Sequence, residues 1–273
     1  MFAIILLACG SRQTMHKMAA RANRLALLLQ RPEHMLTVPE SKELAGLRET
    51  ETYDEEAFTP EHSAFKRLHN QMLVDLASYA AAAAGSGSSA DCGSSNCTFF
   101  YLDGPGGGTT RHLIDAGFDK SNLFTANWHP QTTVALRQYL PEENVLAARA
   151  EQALLSNPLF ATQPFTALYI DGCGGAAEPV VGCINALFHE HRPLPPRVAF
   201  GFTLTTAERT GRSLADREVD VHRALAAACR RQGYRMLHVA DEPELFGANA
   251  AVSKREGNTL TSWHMCETRD ARD

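Results

Sequence analysis

Phe99-Phe-Tyr-Leu-Asp103-Gly-Pro-Gly106-Gly-Gly108-Thr-Thr110 is the stretch whose reading decides the fold. An apolar, aromatic-rich run closing on an acid is the pattern of a central parallel strand, because such a strand is enclosed on both faces. Gly104, Gly106, Gly107 and Gly108 predict a tight turn that lets a ligand approach the backbone without side chains in the way. Thr109 and Thr110 are placed to cap a helix running through His112, Leu113, Ile114 and Ala116 to a stop at Gly117. The N-terminus of that helix presents free N–H groups to a carboxylate or phosphate. Strand, acid, glycine turn and helix together predict a site for a nucleotide-type ligand.

Three ligands compete for such a turn, and spacing separates them. A phosphate-cradling P-loop requires Gly-Lys-Ser/Thr after its glycines, and no lysine follows before Lys120. A dinucleotide fingerprint requires a third glycine where Thr109 stands. It also requires an acid about 20 residues on, where the next strand ends in Asn127. S-adenosylmethionine carries no phosphate, and its positive end suits an acid at the end of a first strand. Asp103 supplies that acid.

Strands and helices alternate downstream. Asn122–Asn127, Val145–Arg149, Phe165–Asp171 and Arg197–Leu204 read as the next four strands. Asp216–Gln232 reads as a helix with Val219, His222, Leu225, Ala226 and Cys229 on one side, ended by Gly233. Tyr234–Ala240 and Thr259–Glu267 are two further strands with no helix required between them, so they pair antiparallel. The expected fold is α/β, a seven-stranded, mostly parallel sheet with helices on both faces and a C-terminal antiparallel hairpin, plus an N-terminal helical extension. Residues 98–273 form that domain. Residues 1–97 form the extension, with an acidic loop over Glu40–Glu61 and a Gly/Ser-rich linker ending at Asn96. Between loop and linker, Thr59–His62 opens a helix with Phe65, Leu68, Met72, Leu73 and Leu76 along an apolar stripe.

From about Thr98 to its end the chain resembles the class I S-adenosylmethionine-dependent methyltransferases. The resemblance implies that Asp103, Gly104, Gly106, Gly107 and Gly108 contact that cofactor. The family's glycine pattern falls here on Pro105, Gly107 and Thr109, so one of its glycines is kept. Asn127 stands where the family usually has Asp or Glu for the ribose, and its amide still bonds a hydroxyl. Trp128 occupies a position that often covers the adenine face, and Arg149 and Ala150 sit where the family contacts the adenine edge. Asp171, with the Gly172–Gly175 loop after it, borders the methyl group and the acceptor in the family, which makes it the candidate catalytic carboxylate. Its other reading is a loop-capping aspartate.

The acceptor is less sharply written. Enzymes that methylate base amines carry an Asp/Asn-Pro-Pro-aromatic motif, and Asp171-Gly-Cys-Gly lacks the prolines and the aromatic. Ribose 2′-O-methyltransferases carry a Pro-Gly-Gly turn and a Lys-Asp-Lys-Glu tetrad. Pro105-Gly-Gly107, Lys66 and Asp171 resemble parts of that set, but Val198–Thr206 holds no second lysine. Lys66 therefore also reads as a solvated helix lysine. The expected activity is methyl transfer from S-adenosylmethionine, with RNA favoured over protein or a small molecule as acceptor. The alternative is a non-catalytic methyltransferase-like module that binds a partner protein, which would explain the altered glycines and Asn127.

Composition sets the outer bounds. The 273 residues, 44% of them hydrophobic, fit one full-sized domain with an appendage. A net charge of −5 means that RNA would be met by a local basic patch. The seven cysteines include no Cys-x-x-Cys, and Cys92 and Cys97 have no histidine nearby, so no metal site is expected. Reduced thiols fit an intracellular, cytoplasmic compartment. Met1–Pro32 contains no acid and carries Arg12, Lys17, Arg21, Arg24 and Arg31, which reads as a mitochondrial presequence or as a packed helix. Phe2–Cys9 is too short to span a membrane, and no membrane partner is expected.

Overall fold

The computed structural model describes residues 37, 40, 60–82, 97–171, 177–205, 212–246, 255–256 and 259–268. The expectations for Met1–Pro32, for most of Glu40–Glu61, for the linker beyond Ala82 and for Gly172–Gly175 lie outside these residues. Phe99, Phe100 and Tyr101 form β1 (Phe99–Tyr101) and are fully buried, as a strand covered on both faces must be. β1 pairs in parallel with β2 (Leu123–Ala126) and with β4 (Ala167–Asp171). β2 continues in parallel to β3 (Val145–Leu146), and β4 to β5 (Arg197–Thr205). β6 (Tyr234–His238) and the two-residue β7 (Arg255–Glu256) both pair antiparallel with β8 (Thr259–Thr268), which also lies antiparallel beside β5. The strand order is 3-2-1-4-5-8-6, with β7 a short addition to β8.

Helices cover both faces. α1 (Pro60–Ala82), α2 (Gly108–Asp115) and α3 (Pro130–Leu136) pack Met72, Leu73, Leu113 and Leu136 into one core with Tyr101, Tyr169 and Trp263. α4 (Ala150–Ser156), α5 (Pro158–Thr162), α6 (Ala177–Leu187) and α7 (Leu214–Arg231) form the other core with Phe100, Phe124, Leu168 and Phe202. A short α8 (Pro243–Phe246) follows β6. The side chains of successive strand residues alternate between these two cores, as the pleat requires. Among the described residues no helix is long and apolar enough to cross a membrane.

Two devices fix the C-terminal strands. The buried Glu267 carboxylate of β8 is paired with Arg197 of β5 at 3.3 Å and accepts from Arg235 Nε of β6 at 2.6 Å. Opposite Trp263, β5 carries Gly201, where a Cβ would stand 2.2 Å from the indole. Gly201 therefore makes the space that the Trp263 ring fills.

Some boundaries differ from the sequence reading. β3 is two residues long, because the chain leaves the sheet edge after Leu146. α1 leaves Leu68 exposed and buries His69 and Asn70 in its place. α7 turns Val219 to solvent and buries Val221, Leu225, Ala228 and Cys229. α2 is not capped by a threonine, since its N-cap is Gly107, in the left-handed region at φ 61°.

Candidate active site

The chain runs outward from β1 to β2 and β3, then crosses to β4 and continues the other way to β5. In an open α/β sheet, ligands bind beyond the carboxyl ends of the strands at such a reversal, here between β1 and β4. The register pairs Tyr101 with Tyr169, so Asp103 and Asp171, each two residues further on, stand at the same level on adjacent strands. Both share the strand parity of the tyrosines, which face α1.

Asp103 is buried and its carboxylate is fully engaged. Oδ1 accepts from Gly104 N at 2.9 Å and Thr109 N at 3.4 Å; Oδ2 accepts from Thr110 N and from Thr110 Oγ1, both at 2.8 Å. Because the Thr110 hydroxyl donates to Asp103, the Tyr101 hydroxyl must donate to Thr110, 2.9 Å away. Burial raises the carboxyl above its usual range, while nearby Lys66 and the donors from Thr110 and Thr109 hold it down. The acid predicted to meet a ligand therefore organises the first turn of α2 and fixes the loop that follows β1.

The glycine turn is as tight as predicted, and its reason is partly different. Gly107 N donates to Gly104 O at 3.0 Å. A Cβ at Gly107 would stand 3.0 Å from the Tyr139 ring, whereas one at Gly108 would meet nothing within 4 Å. Gly107 is thus required by its positive φ and by Tyr139, and Gly108 faces open space.

Asn127 follows β2 with both ends of its amide engaged, Nδ2 donating to Asp103 O at 3.1 Å and Oδ1 accepting from His129 N at 2.9 Å. Trp128 is half-buried beside the His129 ring, with centroids 3.9 Å apart. Arg149, exposed, is the N-cap of α4 beyond β3, and Ala150 is buried behind it. These residues line the β1–β2–β3 half of the carboxyl edge.

The β4 half holds a grouping that the sequence analysis only partly anticipated. Lys66 Nζ lies 3.2 Å from Asp171 Oδ2, both side chains about four-fifths buried at 23% and 18% exposure. Lys66 is therefore not a solvated lysine. One turn on, His69 is fully buried against Phe65 and accepts a 3.0 Å hydrogen bond from Trp263 Nε1 at Nδ1. Burial draws this imidazole down to about 4, against the opposing pull of Asp171, so it is neutral at pH 7. With Nδ1 accepting, its proton sits on Nε2, which has no hydrogen-bond partner among the described residues. Asn70 completes the α1 face by accepting from Thr109 Oγ1 at 3.1 Å. The signal for His69 and Asn70 was present as polar residues spaced at i+3 and i+4 from Lys66.

The charges facing the β1/β4 crevice from these elements are two carboxylates and one ammonium. That surplus suits a cationic ligand better than a phosphate, and His69 Nε2–H adds a buried donor. The residues present fit S-adenosylmethionine in this respect.

Strands 3-2-1-4-5 in parallel, followed by a long antiparallel strand inserted before the last one, define the Rossmann-like fold of class I S-adenosylmethionine-dependent methyltransferases. Among solved structures the chain is similar to the plantazolicin methyltransferase BamL in complex with a triazolic desmethylPZN analogue and S-adenosylhomocysteine, at 12% identity over 92% of this chain and 97% of that one, with a TM-score of 0.49. It is also similar to a fibrillarin pre-rRNA processing protein of Methanococcus jannaschii, at 14% identity over 70% and 74% with a TM-score of 0.40. A third likeness is to the precorrin-6y C5,15-methyltransferase of Geobacter metallireducens, at 12% identity over 80% and 94% with a TM-score of 0.38. These likenesses are distant, and the fold assignment rests on the strand order. No protein-family model matches the sequence, and no curated protein matches it.

Proposed function

We propose that this chain is an S-adenosylmethionine-dependent methyltransferase that acts on a nucleophile presented beside Asp171, with RNA as the favoured acceptor class. The observation that carries the proposal is the Lys66–Asp171 pair at the β1/β4 reversal, 3.2 Å apart and largely withdrawn from water. Bound in that crevice, the cofactor would supply an electrophilic methyl carbon. Asp171 takes the acceptor's proton, and Lys66 fixes the orientation of that carboxylate and lowers the cost of charge next to it. His69, one turn on and held in its Nε2–H tautomer by Trp263, lies close enough to Asp171 for that charge to act on its imidazole. Gly107 and Asp103 shape the loop against which the cofactor's amino-acid end would rest.

A lysine and an aspartate brought together in this way support a ribose 2′-hydroxyl as the acceptor. On β5, where a second lysine would belong, Thr203 instead joins Tyr169 and Thr261 through hydroxyl contacts of 3.0 Å each. A second reading, a non-catalytic partner-binding module, is favoured by the internal engagement of both Asp103 and Asn127. Calorimetric titration with S-adenosylhomocysteine separates the two. Binding followed by labelled-methyl transfer into total RNA is the expected result. Asp171→Asn is expected to keep cofactor affinity and lose turnover by roughly 10²–10⁴-fold, and Lys66→Ala to lose turnover as well. No binding by the wild type would remove the enzyme reading, label appearing in protein alone would remove RNA, and an Asp171→Asn variant at wild-type rate would remove Asp171 from the chemistry.

A further inference from the structure

On the face of the sheet opposite α1, three imidazoles converge on one hydroxyl. His222 comes from α7, His238 from the end of β6 and His264 from β8, where the antiparallel register sets His238 directly against His264. Their Nε2 atoms lie 3.1, 3.2 and 3.1 Å from Ser262 Oγ. One ring nitrogen from each histidine lies within 4.8 Å of the others. Tetrahedral ligands about 2.0–2.1 Å from a zinc ion stand roughly 3.3 Å apart, so small ring rotations carry the three nitrogens from the hydroxyl onto an ion. His264 is buried, whereas His222 and His238 keep 28% and 26% exposure and leave a path from solvent.

Two carboxylates flank the arrangement. Glu218 lies one turn before His222 on α7, with Oε1 3.7 Å from His222 Nε2. Asp241 Oδ2 lies 3.4 Å from His238 Nδ1, which places that ring's proton on Nδ1 and turns the Nε2 lone pair inward.

We propose that His222, His238 and His264 bind a divalent transition-metal ion of the zinc class, with water in the fourth, open position. Ser262 and His264 point toward α7 while Thr261 and Trp263 point toward the α1 side, so this site is separate from the Lys66–Asp171 crevice. An ion there would clamp α7 to β6 and β8.

The test is titration of metal-stripped full-length protein with Co²⁺, read by visible absorption, followed by Zn²⁺ competition and thermal unfolding. One equivalent of Co²⁺ with the intense bands of a tetrahedral site, displaced by Zn²⁺ and accompanied by a higher Tm, is expected. His222→Gln and His238→Gln, at the half-exposed positions, are each expected to weaken Co²⁺ binding by more than the roughly 10–100-fold typical of an outer hydrogen-bond partner. Ser262→Ala is expected to keep binding, because its hydroxyl is not a ligand. Wild-type protein that takes up no Co²⁺, uptake without tetrahedral bands, or undiminished uptake by the His222→Gln/His238→Gln double variant would overturn the proposal.

Discussion

Trp263 Nε1–H donates to His69 Nδ1, and burial draws the imidazole down to about 4. The folded value lies below the unfolded one of roughly 6.5. The unfolded chain therefore binds more protons in the window between them, so the contribution of His69 to stability is complete above about pH 6.5 and is lost as pH falls through about 4. Urea unfolding across that range should show a steeper acid loss for wild type than for His69→Asn, and the His69 ring resonance should not titrate between about pH 5 and 8. A ring that titrates near its ordinary value would overturn this. Asp103 and Glu218, both raised by burial, act in the opposite sense, which is why the difference between variant and wild type is the quantity to measure. Asp103 also makes a prediction of its own. Asp103→Ala strips the α2 N-terminus of its acceptor and should lower unfolding free energy by about 1–3 kcal/mol, with S-adenosylhomocysteine affinity falling alongside. Unchanged thermal stability in that variant would contradict the hydrogen bonds described. The sequence showed Asp103 as an acid at a strand end, but both a ligand and a helix terminus attract such an acid, and only the fold brings Thr109 N and Thr110 N onto it.

At the scale of elements, the glycines divide by what surrounds them. Gly201 lies inside a strand whose sequence gives no sign of a turn, yet a Cβ there would overlap the Trp263 ring at 2.2 Å. Gly201→Ala should force β5 and β8 apart or expel the indole, costing about 1–3 kcal/mol or more. A falling Tm and a changed near-ultraviolet dichroism of Trp263 are the readouts, and a variant with wild-type values in both would show that the pair tolerates a methyl group. Gly107 was legible as a turn glycine, and its positive φ agrees, although its close neighbour is Tyr139. Helix α1 was legible as a helix, and Met72, Leu73 and Leu76 of its apolar stripe are buried. Apolar spacing pointed to Leu68, whereas tertiary packing buries His69 and Asn70 because Trp263 and Thr109 supply the partners those polar groups need.

For the whole molecule, the strand order sets the β1/β4 reversal, where open α/β sheets take ligands, and the charges there underlie the proposed choice of cofactor. Two carboxylates and one lysine at the β1/β4 reversal oppose a pyrophosphate, and Asn127 offers the ribose no charge. Thermal shift should therefore respond more to S-adenosylhomocysteine than to NAD or NADP, and the reverse ranking would reject the cofactor assignment. The sequence by itself determined the alternation of strands and helices and the antiparallel ending. These are properties of local apolar period, glycine punctuation and connection length, all short-range along the chain. It also determined that Asp103 follows one inner strand and that Asp171 ends another. Only the tertiary structure decided that Lys66 meets Asp171, that Trp263 sets the tautomer of His69, and that His222, His238 and His264 gather around Ser262. Apart from Ser262 and His264, which stand two positions apart on β8, those groupings join residues from 16 to 194 positions apart. No local spacing encodes them, because they depend on which strand lies beside which and on the register that sets each side chain's face.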